Sequence, residues 1–239
     1  MTLILHRLTP PPFPPIEPPR TGVVFPDPRD IDGDIVAVGS DFRAGTVIDA
    51  YRHGIFPWPH DGDLVGWFSP DPRAIFPLDA PPHWSRSLRR RMRNHGFEIT
   101  IDEAFADVMR ACGEERKGGT WIVPELMEGY GTLHELGWAH SIEVWERHSA
   151  GSRELVGGMY GITVGGLFAG ESMFHRRTDA SKVAFVTMVE RLKAGGFVLF
   201  DVQVMNEHLE SLGCIELPRD EYLRSLEKAL TEEARLTID

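Results

Sequence analysis

The stretch from residue 154 to residue 203 constrains the fold more than any other part of the chain. Two apolar runs, 154–164 and 167–174, flank Gly165-Gly166. Strand-like runs joined by two glycines read as a hairpin, because glycine supplies the left-handed backbone of a two-residue turn. A helix follows, capped by Thr178 or Asp179 and closed by Gly195-Gly196. Residues 197–202 then read as a strong strand. Glycines and small residues crowd one acid in this stretch, Glu171. Asp201 and Gln203 stand at i and i+2, a spacing that points both side chains to one face of a strand. An acid, an acid–amide pair and a low-bulk backbone imply a cleft where main chain comes close to a ligand.

The bulk properties narrow the classes. A chain of 239 residues holds one large domain or two unequal ones. No run approaches the ~18 apolar residues that span a bilayer. Leu3-Ile4-Leu5 is too short an apolar core for a secretory signal. A cytoplasmic protein without membrane contact is therefore expected. Cys112 and Cys214 lie far apart inside apolar elements and read as buried free thiols. A net charge of −11 argues against a DNA-binding or other non-specific nucleic-acid-binding protein. One segment breaks the trend. Arg86, Arg89, Arg90, Arg91 and Arg93 put five arginines in eight residues. They form either a solvated helix face or a contact for phosphates, which the guanidinium fork matches.

Residues 10–19 hold seven prolines and read as an extended polyproline arm. A small region follows, with a strand near 35–38, a helix over 46–53 ended by Gly54, and an aromatic–proline turn at Ile55-Phe56-Pro57-Trp58. The proline-rich stretch 70–82 marks the expected boundary. This gives a small N-terminal α+β domain over 1–74 and a larger domain over 75–239. In the larger one, a strand at 97–101 leads to a helix capped by Asp102 and stopped by Gly113. Pro124 begins a second helix that ends at Gly137. A strand at 140–145, the hairpin, the helix and the strand at 197–202 come next. Asn206 caps a short helix, 214–217 is a strand, and a last helix starts near Glu221.

That order resembles the N-acetyltransferase (GNAT-like) fold, an α/β (α+β) mixed sheet with helices on its faces. The fold implies an acyl donor entering where the fourth strand meets the third helix, here residues 174–182. Users of coenzyme A carry a glycine-rich pyrophosphate loop there, and this chain has none. Nucleotide cradles and the Gly-x-Ser-x-Gly elbow are also missing. His134-Glu135 is followed by His140, which fails the zincin spacing. His208 and Cys214 make no convincing nucleophile pair. Chemistry without metal, cofactor or covalent intermediate is the expectation.

Longer stretches then identify a family. Asp49-Ala50-Tyr51-Arg52-His53-Gly54-Ile55-Phe56-Pro57-Trp58 and Phe68-Ser69-Pro70-Asp71-Pro72-Arg73 resemble the leucyl/phenylalanyl-tRNA–protein transferases. So do Leu133-His134-Glu135-Leu136-Gly137-Trp138-Ala139-His140-Ser141, Gly170-Glu171-Ser172-Met173-Phe174, Asp179-Ala180-Ser181-Lys182 and Asp201-Val202-Gln203. The matches run in unbroken order over about residues 36–219. The resemblance implies transfer of leucine or phenylalanine, sometimes methionine, from aminoacyl-tRNA to the α-amine of an N-terminal arginine or lysine. The product would be a signal for protein degradation (an N-degron). Gly39-Ser40-Asp41-Phe42 and Gly66-Trp67-Phe68 depart from the family's usual residues.

The resemblance gives Glu171, Asp201 and Gln203 the catalytic positions. Gln203 would orient the attacking amine, with Asp201 stabilising the charge that develops and both carboxylates receiving a cationic side chain. Tyr51, Trp58, Trp121 and Tyr130 would line the site around the aminoacyl-adenosine end. Met159, Phe168, Phe185 and Met188 are candidates for the donor side-chain pocket. Arg86, Arg89, Arg90, Arg91 and Arg93 would hold the acceptor stem by shape and phosphate contacts. Two rival classes remain: a coenzyme-A N-acyltransferase of related fold, and a non-catalytic binder of tRNA or basic N-termini.

Overall fold

The computed structural model describes residues 10–59, 65–80, 84–93, 96–114, 123–149 and 151–236. The N-terminal elements are β1 (Ile35–Val38), α1 (Ala44–Arg52), β2 (Phe56–Pro59), β3 (Val65–Phe68), β4 (Arg73–Phe76) and α2 (Arg86–Arg93). Then come β5 (Glu98–Ile101), α3 (Phe105–Glu114), α4 (Pro124–Glu135), β6 (Ala139–Arg147), β7 (Arg153–Val164) and β8 (Leu167–His175). The chain continues through α5 (Ala180–Ala194), β9 (Leu199–Gln203), α6 (Glu207–Leu212), β10 (Ile215–Leu217) and α7 (Arg219–Ala229). This is the mixed α/β class that the sequence implies.

Two sheets form. The smaller has the order β1-β3-β2; the larger has seven strands in the order β10-β4-β9-β8-β7-β6-β5. Gly165, at φ +56, makes the β7–β8 turn that its glycine pair implies. Among the described residues one strand pair is parallel, β8 with β9. Its register runs Leu167↔Leu199, Phe168↔Phe200, Ala169↔Asp201 and then stops. β8 continues to His175, so the two strands part after Ala169 and Asp201. The parting leaves a crevice in the sheet at the carboxyl ends of parallel strands, a common place for ligands.

Helices cover both faces, each burying one apolar layer. α1, α3, α4 and α7 share a hydrophobic cluster on one face with the small sheet; α5, α2 and α6 share another on the opposite face. α5 lies close on β7 because Gly157 has no side chain: a Cβ there would sit 2.6 Å from that of Ala180. Under the crevice, Phe76, Phe185, Phe200 and Phe168 interlock with ring centroids 5.2–6.1 Å apart.

A buried ion pair fastens the sheet to both flanking regions. Arg73, at the head of β4, and Asp201, in β9, have fully buried side chains. The guanidinium donates to both carboxylate oxygens, at 2.9 and 2.6 Å, and to the Gly54 carbonyl at 3.0 Å. Tyr222 of α7 donates to Asp201 Oδ2 at 2.8 Å. The guanidinium carbon lies 4.5 Å from the Phe56 ring centre and 4.4 Å from that of Tyr222. Burial opposes the Arg73 charge, but the Asp201 carboxylate holds the guanidinium above its ordinary pKa.

Several local expectations change. The aromatic–proline turn at 55–58 falls largely in β2, because its residues pair with β3 through Phe56↔Phe68 and Trp58↔Gly66. The proline-rich stretch read as a boundary contains β4, which lies inside the large sheet and straddles the 74/75 division. Asp102 does not cap α3. It adopts φ 60, accepts from the Ser141 amide at 2.9 Å and pairs with His140 at 2.8 Å. The buried Glu143 approaches the Glu103 and Ala104 amides instead, and burial raises its pKa. Asp179 precedes α5 without capping it through its side chain, which goes to Arg91 and Lys182. The polyproline arm is docked. Ile16 donates to the Leu136 carbonyl at 2.8 Å and accepts from the Trp138 indole at 2.7 Å, and Glu17 pairs with Arg52.

Removing one member of a buried ion pair leaves an uncompensated charge, at a cost of about 3–5 kcal/mol. Arg73→Met should lose stability of that order in urea unfolding. The double variant Arg73→Met/Asp201→Leu should recover a large part of the loss. Equal losses in the single and double variants would deny the pair its central place.

Candidate active site

The crevice between β8 and β9 holds a cavity of about 270 Å³. Met159, Met173, Phe185, Phe200, Val202 and Leu209 give it apolar walls, and Trp58 lies at its rim. The polar groups on the wall are Glu171, Ser172, Gln203, Asn206 and His208. This combination, a mostly apolar hollow with a few converging polar groups, is the usual constitution of a small-molecule site.

Glu171 sits in β8 immediately past the point where the parallel pair ends. Its Oε1 accepts from the Tyr51 hydroxyl and from Gln203 Nε2, the latter at 2.8 Å; its Oε2 accepts from the Tyr130 hydroxyl at 3.1 Å. The two phenols are 3.0 Å apart. Burial pushes Glu171 up to about 7, although the tyrosine and Gln203 donors pull the other way; the Asp201 charge adds to the rise. Burial, followed by the negative charge of Glu171, keeps both phenols protonated well above their usual range. The carboxyl can therefore change charge near neutrality, while its donors cannot.

Gln203 ends β9 with φ 69, a left-handed conformation that a non-glycine residue rarely takes. The strain is held by Asp201, whose Oδ1 accepts from the Gln203 amide at 2.8 Å. The turn breaks strand alternation at the pair. Asp201 faces Arg73, and Gln203 reaches Glu171. The two side chains do not present themselves together to a ligand, as the i, i+2 spacing implied. Asp201 is fully buried, saturated by Arg73, Tyr222 and the Gln203 amide. The resemblance implies a charge-stabilising contact from Asp201 to the amine; in the fold its carboxylate oxygens meet Arg73, Tyr222 and the Gln203 amide.

Other expected residues divide similarly. Trp58, Met159 and Phe185 line the cavity. Tyr51 and Tyr130 are buried and bind Glu171 through their hydroxyls, so their rings offer no stacking face. Phe168 and Met188 are buried core residues away from the cavity lining, Phe168 packed edge-on against Phe200. Trp121 lies outside the described residues. The five arginines are exposed on α2, whose Leu88 anchors it. A hollow of about 510 Å³ beside α2 is walled by Arg90, Arg91, Lys182 and Asp179. A neighbouring groove of about 490 Å³ shares Asp179 and Lys182 with it and adds His175, Arg176 and His208.

Sequence reasoning missed Arg73, Tyr222, Met173, Phe200, Val202, Asn206 and His208 as parts of the site or its frame. Arg73 had a usable signal: a lone cation heading the apolar run Ala74-Ile75-Phe76 must find a buried partner. Among the described residues, Glu146, His148 and Glu154 alone bring three potential metal-ligand atoms within 4.8 Å of one another. They lie at the far end of the β6–β7 hairpin, and Arg177 already pairs with Glu146.

The family described as leucyl/phenylalanyl-tRNA protein transferase matches residues 75–227, and its N-terminal domain matches residues 40–71. A leucyl/phenylalanyl-tRNA–protein transferase of Stutzerimonas stutzeri is 48% identical over 195 residues, 80% of this chain and 83% of its own. Its namesake in Thiobacillus denitrificans is 44% identical over 90% of this chain and 88% of its own. A third, from Nitratidesulfovibrio vulgaris, is 44% identical with 91% and 92% covered.

A carboxyl whose folded pKa is raised binds its proton more tightly when folded than when unfolded. Its effect is opposite to that of a salt-bridged carboxylate. Stability is fully present below the ordinary glutamate value and is lost as pH rises through about 7. Glu171→Gln removes that loss. Its unfolding free energy relative to the natural protein should improve on the order of 2–3 kcal/mol between pH 5 and pH 8. A difference that does not change with pH would contradict the raised pKa.

Proposed function

The chain belongs to the leucyl/phenylalanyl-tRNA–protein transferases, and from that membership we propose that the β8–β9 crevice is where its reaction occurs. The protein is an aminoacyltransferase that moves an aminoacyl group from tRNA to a protein. We infer leucine, phenylalanine or methionine as the group moved, and an N-terminal arginine or lysine as the acceptor that is thereby marked for degradation. The reading assigns the reaction to the cytoplasm, the compartment of aminoacyl-tRNA. No helix among the described residues is long and apolar enough to cross a membrane. It also treats residues 1–74 as a small domain and 75–239 as the catalytic one, with β4 the strand at their junction.

One observation carries the mechanistic reading: Gln203 Nε2 donates to Glu171 at 2.8 Å on the wall of an apolar cavity. An amide whose NH2 is committed to a carboxylate leaves its carbonyl oxygen to accept from the amine. The donor is an activated ester, so orientation and loss of a proton are the main demands. The acceptor amine has an ordinary pKa of about 8. Gln203 holds it toward the ester, and Glu171 supplies negative charge near the cationic N-terminal residue. Asp201, held by Arg73, keeps Gln203 in its left-handed turn. Met159, Met173, Phe185 and Phe200 receive the donor's apolar side chain.

The polar hollows beside α2 and α5 suit the RNA. Arginine and lysine contacts to phosphates fix register without reading sequence, as a substrate supplied by several tRNA species requires. The lack of a pyrophosphate loop at residues 174–182 disfavours coenzyme A as donor.

Incubation with labelled Leu-tRNA and an arginine-initiated peptide tests the reading. Label should reach the peptide. Transfer from acetyl-coenzyme A alone, or retention of tRNA without transfer, would sink it in favour of one rival or the other. The triple variant Arg89→Ala/Arg90→Ala/Arg91→Ala should bind Leu-tRNA more weakly, and the slope of log affinity against log salt should shallow by about 2–3. An unchanged slope would return α2 to an ordinary solvated helix.

A further inference from the structure

Six histidines lie among the described residues, and five have partners for a ring nitrogen. His53 Nδ1 meets the Asp49 carbonyl, His134 the Ala139 carbonyl and His140 the Asp102 carboxylate. His148 pairs with Glu154, and His175 lies 3.4 Å from the Ser181 hydroxyl. The ring of His208 has no such hydrogen bond among the described residues. It is half-buried, near the start of α6, on a helix fixed by the Asn206 cap.

Its position is singular. The apolar cavity and the polar groove at the start of α5 have one wall residue in common among the described residues, His208. An aminoacyl-tRNA has the same two-part chemistry. Its side chain is apolar, its RNA is anionic, and an ester joins the two. With the side chain in the cavity and the terminal phosphates in the groove, the ester carbon and the ribose oxygen lie at the junction. The reaction needs a proton carrier there. The attacking nitrogen must shed a proton as the C–N bond forms, and the departing ribose oxygen must gain one as the C–O bond breaks. Gln203 cannot do this, because a carboxamide is neither acid nor base near neutrality.

We propose that His208 is a catalytic residue of the transfer: its imidazole takes the proton from the attacking amine and delivers it to the ribose 3′-oxygen. This rests on the cavity and groove being the two halves of the aminoacyl-tRNA site. The balance is complete without another reactant. The amine attacks as its neutral form, the new C–N bond uses its lone pair, and the electrons of the broken C–O bond go to the ribose oxygen. The proton that leaves nitrogen is the one that oxygen receives.

The surroundings suit the task. Burial, then the positive charges of Lys182 and His175, hold His208 below its ordinary pKa. The ring is therefore a neutral base at pH 7 and a ready acid once protonated. The other charged groups facing the junction are Arg176 and Asp179 in the groove and Glu171 in the cavity.

The test is single-turnover transfer from saturating, pre-bound Leu-tRNA to an arginine-initiated peptide, comparing the natural protein with His208→Gln from pH 5 to pH 8.5. The amine and Glu171 titrate in both proteins and cancel in the ratio of their rates. The ratio should be on the order of 100 at pH 8, and should fall about tenfold per pH unit below the histidine pKa. Rates within about threefold of each other, or a ratio that does not change with pH, would overturn the role. So would a defect that vanishes at saturating tRNA, since it would make His208 a groove contact. Circular dichroism checks the fold, with His208→Asn in reserve if the glutamine variant fails to fold. If the natural protein itself transfers nothing, the reading of the whole site falls; if it transfers and His208→Gln matches it, only this inference does.

Discussion

The buried pair of Arg73 and Asp201 is the constraint on which the rest of the molecule turns. Two charges without solvent are unfavourable unless each is matched and hydrogen-bonded. Here the carboxylate accepts two guanidinium bonds, a phenol and a backbone amide, and the guanidinium also reaches the Gly54 carbonyl. That satisfaction joins four parts of the chain: the turn after α1, the head of β4, the end of β9 and the face of α7. Gly54 itself shows how tight the junction is. At φ +74 its missing Cβ would sit 2.6 Å from Leu223.

The chemistry follows from what the pair consumes. Asp201 spends its charge on Arg73 and one lone pair on the Gln203 amide. The left-handed turn at Gln203 then sends the side chain away from Asp201 and across to Glu171. Glu171, the second carboxylate, accepts from two phenols and an amide among the described residues. Burial wins over these neutral donors and raises the Glu171 pKa to about 7. The two acids therefore differ for a physical reason. One is neutralised by an ion pair and frames the site; the other is merely hydrogen-bonded and stays responsive to pH.

The crevice has its own cause. β8 and β9 are parallel for three residue pairs and then separate, with small residues such as Gly170 lining the gap. A closed hydrogen-bond ladder there would leave no space for a ligand. The aromatic stack of Phe76, Phe185, Phe200 and Phe168 fills the sheet beneath and gives the opening a rigid floor.

Much of this was legible in the chain. Glycine pairs at 165–166 and 195–196, the Asn206 cap and period-two runs determined the order of elements after β5, because turn chemistry and hydrophobic alternation are local properties. The motifs running in unbroken order over about residues 36–219 identified the family. Sequence could not reveal that β4 enters the large sheet beside β9, since its four residues follow prolines and carry no alternation. It could not show Asp201 meeting Arg73 while Gln203 reaches Glu171, because the i, i+2 rule assumes a regular strand and Gln203 takes a left-handed backbone. Nor could it show His208 joining two hollows, or Phe168 and Met188 turning into the core. Those outcomes depend on which residues distant in sequence meet and which of them compete for one partner. Only the folded chain settles that competition, because burial and pairing energies exist only once the layers have closed.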